Sequence, residues 1–109
     1  FPKYNKDDER PIALTEFGGY SMQLKDHCFN KDKFFGYRKY FKQESFDNAI
    51  KNLYENRIYN CMKNKGLSAI IYTEVSDVED ECNGLLTYDR EVIKITPEVM
   101  QEINKKMKY

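Results

Sequence analysis

The chain has 109 residues, with 18 basic and 18 acidic side chains and no formal net charge. Phosphate-rich partners draw on an excess of Lys and Arg, so this balance argues against nucleic-acid and membrane-surface binding. No run approaches the about 20 apolar residues that span a bilayer. Charged residues make up 33% of the chain, yet aromatic residues reach 15%, with nine Tyr, seven Phe and no Trp. Disordered chains are poor in aromatics, so a packed core is expected despite a mean hydropathy of −0.82.

Residues 1–10 are polar and charged and read as a linker. Pro11-Ile12-Ala13-Leu14-Thr15 is a short apolar run that fits a strand buried on both faces, as in a parallel sheet. It is expected to end at Glu16, where Gly18 and Gly19 break the strand. Residues 22–43 show no clean period and carry Phe29, Phe34, Phe35, Tyr37, Tyr40 and Phe41, which reads as a long, ordered, aromatic-rich loop.

The clearest helix is predicted over 45–63. Phe46, Ile50, Leu53, Tyr54, Ile58, Cys61 and Met62 recur at steps of three and four, with Ser45 as N-cap and Gly66 as stop. Leu67 to Val75 is the second apolar run and the second expected buried strand. An acidic loop follows from Ser76 to Glu81, then a turn at Asn83-Gly84. Its charge is expected to be neutralised by Arg90 and lysines. The spacing of Glu79, Glu81, Asn83 and Gly84 mimics the start of a calcium-binding loop, but the twelfth position is Arg90 rather than Glu, so no metal is assigned. Thr96-Pro97-Glu98 starts a last helix, with Thr96 as N-cap and Val99, Met100, Ile103 and Met107 on one face.

Strand, loop, helix, strand, loop and helix make a βαβ unit with a parallel pair, so the fold class is α/β. In such folds chemistry gathers at the carboxyl ends of strands, which makes Glu16 and Glu74 the candidate carboxylates. Glu74 also reads as a partner of a basic residue at the rim. Three well-separated cysteines, Cys28, Cys61 and Cys82, suggest reduced thiols and a cytoplasmic setting. The chain starts with Phe1-Pro2-Lys3, so it is expected to come from a longer polypeptide.

Leu14-Thr15-Glu16-Phe17-Gly18-Gly19-Tyr20-Ser21 resembles the nucleophile motif of glycoside hydrolase family 2, which includes β-galactosidases, β-glucuronidases and β-mannosidases. Gly66 to Glu81 and Asn83 to Arg90 are similar to the eighth strand and following loop of that family's catalytic (β/α)₈ barrel. The resemblance implies a fragment of a TIM barrel, strand seven to helix eight. It divides the chain into 11–66 (strand, long loop and helix) and 67–109 (strand, acidic loop and helix). It implies Glu16 as nucleophile of a retaining, β-galactosidase-like enzyme acting on a β-linked sugar, a β-galactoside or close relative, with no cofactor. Phe17, Tyr20, Tyr72 and Glu74 are implied at the sugar site. The family's acid/base follows an Asn at a strand end, and no such pair is present; the fragment alone is therefore expected to be inactive and to self-associate. The alternative is a small interaction module that docks through segment 29–41.

Overall fold

The computed structural model describes residues 9–108, so the linker expected at 1–10 lies almost wholly outside the described residues. Strands β1 (Ile12–Gly18) and β4 (Leu67–Thr73) pair in parallel. Between them run two short strands, β2 (Tyr20–Met22) and β3 (Arg38–Tyr40), which also pair in parallel, and a long helical segment. That segment is α1 (Gln43–Asn52), a π-helical stretch over Leu53–Ile58, and α2 (Tyr59–Lys65). A last helix, α3 (Pro97–Lys106), closes the described chain.

The apolar stripe explains where the core sits. Phe46, Ile50, Tyr54, Ile58 and Cys61 from the helical segment meet Leu67, Ile95, Ile103 and Met22 in one buried cluster. Ile12, Leu14, Ile70 and Tyr72 press on it from the sheet, Val99 and Met100 from α3, and Met107 from just past the end of α3. Burying side chains of this size contributes about 1.5–3 kcal/mol each, which outweighs any propensity cost in the helices. The segment ends at Gly66, whose φ of 67° terminates it in the left-handed region.

Several expectations need correction. The strands are not buried on both faces: Ala13 and Thr15 in β1 and Ser68, Ala69 and Ile71 in β4 are exposed. Only one helical layer covers the two-stranded sheet, so one face stays open. Strand β1 does not stop at Glu16 but continues to Gly18. The loop over 22–43 is partly a sheet, because β3 adds to β2. Three-residue strands have too little pattern to read in advance. Ser45 is not the N-cap: the helix begins two residues before it, with Lys42 at its cap. Thr96 does hold the N-cap position of α3, where its carbonyl accepts the Val99 amide at 3.0 Å, while its hydroxyl donates to the Asp47 carboxylate rather than accepting from its own helix amides.

Candidate functional site

Strand β1 delivers its chemistry through an irregularity. Side chains on a strand alternate, so Leu14 facing the core should be followed inward by Glu16. The pairing with β4 instead shifts register between Leu14 and Phe17. Phe17 turns inward, edge-on to Tyr54 at 5.3 Å and to Tyr72 at 5.4 Å, while Thr15 and Glu16 both face out. A bulge thus re-aims a carboxylate out of the core, a common use of bulges beside sites.

Gly18 and Gly19 then turn the chain with φ values of 109° and 71°. A Cβ on Gly18 would lie 2.6 Å from the Tyr72 ring, and one on Gly19 would lie 2.6 Å from the Tyr37 ring. At Gly18 the Thr73 carbonyl, 2.9 Å from such a Cβ, also leaves no room, and at Gly19 the positive φ is what favours glycine. The Gly19 amide donates to the Thr73 carbonyl at 3.0 Å, which ties the ends of β1 and β4 together.

At this carboxyl-terminal end lies a cavity of about 410 Å³, lined by Glu16, Phe17, Gly18, Gly19, Phe35, Tyr37, Thr73, Glu81 and Asn83. Its size falls in the roughly 300–1,000 Å³ range of small-ligand sites. Of the five residues expected at a sugar site, Glu16 and Phe17 line it. Tyr72 stands behind them, stacked on Tyr54 at 6.2 Å; burial raises its hydroxyl pKa well above the ordinary value and that of Tyr54 to about 12. Tyr20 packs on Tyr40 at 5.7 Å with the Arg38 guanidinium over its ring. Glu74 is half-buried, and its Oε1 has no hydrogen-bond partner among the described residues. Burial, with Glu81 and Asp77 as like-charged neighbours, raises its carboxyl pKa.

The sequence did not single out Glu81 and Asn83 as cavity residues, nor did it bring Phe35 and Tyr37 beside Glu16. Their placement is non-local. The Phe35 amide donates to the Asp80 carbonyl at 2.6 Å, the Cys82 amide donates to the Phe35 carbonyl at 3.3 Å, and the Tyr37 amide donates to the Gly19 carbonyl at 3.2 Å.

The acidic loop is held from inside by a cation that the sequence reading did not name. Lys94 is fully buried, and its ammonium donates to Asp77 Oδ1 at 2.7 Å and to the Cys82 carbonyl at 2.9 Å. Asp77 Oδ1 also accepts the Gly84 amide at 2.8 Å. Burial lowers the Lys94 pKa and raises those of Asp77 and of the Cys82 thiol, the last to about 11. Elsewhere, His27 Nδ1 lies 2.8 Å from Asp89 Oδ2 and 3.8 Å from Glu91 Oε2. These three groups each offer an atom within 4.8 Å of the others, a cluster of the donor types that bind cations at a place where the sequence predicts no metal.

No known family model matches the chain, and no curated protein matches its sequence. No helix among the described residues is long and apolar enough to cross a membrane.

Proposed function

We propose that the chain is the strand-seven to helix-eight portion of a (β/α)₈-barrel glycoside hydrolase, and that Glu16 is the nucleophile of a retaining reaction on a β-linked sugar. The observation that carries this reading is the position of Glu16: an exposed carboxylate lining the cavity at the carboxyl end of a parallel strand pair. That end is where barrel enzymes keep their chemistry. The motif from Leu14 to Ser21 adds the family resemblance.

In this reading a Glu16 oxygen attacks the anomeric carbon and the glycosidic oxygen leaves, giving a glycosyl ester on Glu16. Water then hydrolyses the ester with net retention. The leaving oxygen takes its proton from a second carboxyl group about 5 Å away, which also activates the water. That group belongs to an Asn-Glu pair in the resembling family and has no counterpart in this sequence. The portion alone is therefore expected to show no appreciable turnover. The open sheet face and the radius of gyration, 15.3 Å against about 13 Å for a compact domain of this length, both fit a piece of a larger wall. The three free cysteines favour a cytoplasmic location.

The test is made in the longer polypeptide that carries this sequence. Glu16→Gln is expected to abolish glycosidase turnover, and azide is expected to rescue Glu16→Gly by attacking the anomeric carbon in its place. Near-normal turnover without Glu16 would refute the assignment. The exposed aromatics Phe29, Phe35, Tyr37 and Phe41 favour the second reading, a docking module. That reading gains if neither variant changes any glycoside hydrolysis.

A further inference from the structure

The cavity beside Glu16 has a built wall with a chemistry of its own. Phe35 and Tyr37 are 51% and 79% exposed, although their backbones are clamped on both sides. Their rings meet edge-on at 5.9 Å. The Ser21 hydroxyl donates to the Phe35 carbonyl at 3.2 Å, adding to the amide bonds that tie this segment to the acidic loop and to Gly19. Gly36, between the two aromatics, sits so close to Ser21 that a Cβ there would fall 1.4 Å from Oγ. Two large apolar rings held in the open by a hydrogen-bonded backbone have the form of a ligand platform rather than a loose loop.

The same cavity carries a charge signature. Among the described residues lining it, Glu16 and Glu81 are carboxylates and none is basic. Glu81 is exposed, and its place is set by the paired backbone of Phe35 and Glu81. A carboxylate accepts hydrogen bonds from hydroxyls and repels another anion. A flat ring of C–H bonds packs on an aromatic face, as large rings bury apolar area at little cost in order.

We propose that Phe35, Tyr37 and Glu81 form the sugar-contacting wall of this cavity and select an uncharged glycoside over an anionic one such as a uronide. The proposal rests on the reading of Glu16 as nucleophile. Tyr37 and Phe35 stack on the sugar's C–H face, and Glu81 accepts a hydroxyl hydrogen. Every retaining enzyme of this kind carries the carboxylate nucleophile, so Glu81 is the discriminating group: a carboxylate on the substrate would meet it with no cation from this wall as an offset.

The experiment measures kcat and KM of the full-length polypeptide for nitrophenyl β-hexosides and for the matching β-glucuronide. The unaltered enzyme is expected to favour a neutral hexoside. Tyr37→Ala is expected to raise its KM by about tenfold, and Tyr37→Phe to restore it, since the ring rather than the hydroxyl carries the contact. Glu81→Gln is expected to raise the glucuronide-to-hexoside ratio of kcat/KM by about tenfold. A glucuronide preferred by the unaltered enzyme, or a KM unmoved by Tyr37→Ala, overturns the proposal while leaving Glu16 as nucleophile. Absence of turnover on every glycoside overturns both.

Discussion

Lys94 has no solvent-exposed surface, and its ammonium is met by Asp77, the Cys82 carbonyl and the Phe46 ring, whose centroid lies 5.9 Å away. Removing one partner of such a buried pair costs about 3–5 kcal/mol, because the other charge is left unanswered in a poor dielectric. Lys94→Ala is expected to lower stability by that amount in denaturant titration, and the added change Asp77→Leu to recover most of it. Full stability of Lys94→Ala alone would contradict the pairing. At the surface, His27 and Asp89 shape each other. The Asp89 carboxyl is depressed to about 2 by the Thr87 hydroxyl, the Glu91 amide and His27. Hydrogen bonding to Asp89 raises the His27 pKa above 6.5. The depressed acid contributes above the ordinary carboxylate range and is lost as pH falls through about 2. The raised base contributes in full below 6.5 and is lost as pH rises through its elevated value. The contact is therefore strongest between about pH 4 and 6.5. NMR titration of the His27 ring is expected to give a midpoint above 6.5 that falls in Asp89→Asn; an unchanged midpoint would count against the contact.

At the scale of elements, the long helical segment was legible because seven apolar side chains at helical steps leave no other way to bury one face. Strand β1 was legible as a strand but not in its exposure. Its open face follows from the single helical layer, and the outward turn of Glu16 from a register shift that no local pattern announces. The aromatic segment 34–37 was legible only as ordered. What it touches, Gly19 and the backbone around Cys82, lies far along the chain. Lys94 was missed for a similar reason: Val92-Ile93-Lys94-Ile95 is an apolar run broken by one charge, whose partner Asp77 is 17 residues away. Gly36 tests the clamped segment as an element. Gly36→Ala forces a Cβ into Ser21 and is expected to cost at least about 1–3 kcal/mol, read as a lowered melting temperature. An unshifted melting temperature would mean that the segment is free to move.

The molecule extends over 50 × 25 × 19 Å, and among the described residues its parallel strands form two two-stranded sheets, of which β1–β4 leaves one face open. Ile71 and Val75 stand 58% and 71% exposed on or just beyond β4. Parallel sheets are ordinarily covered on both faces, and exposed edges invite pairing with another chain. The isolated chain is expected to self-associate in sedimentation, and Ile71→Lys to shift it toward monomer; a strictly monomeric profile over a wide concentration range would contradict this. The βαβ order could be read from residue pattern, but the role proposed for Glu16 rests on resemblance, since a carboxylate at a strand end carries no chemistry by itself. Its assignment is tested most directly by treating the full-length polypeptide with a 2-fluoro-glycoside inactivator and mapping the modified peptide by mass spectrometry. The account expects one glycosyl ester, on Glu16. A label on any other carboxylate, with Glu16 unmodified, would contradict it.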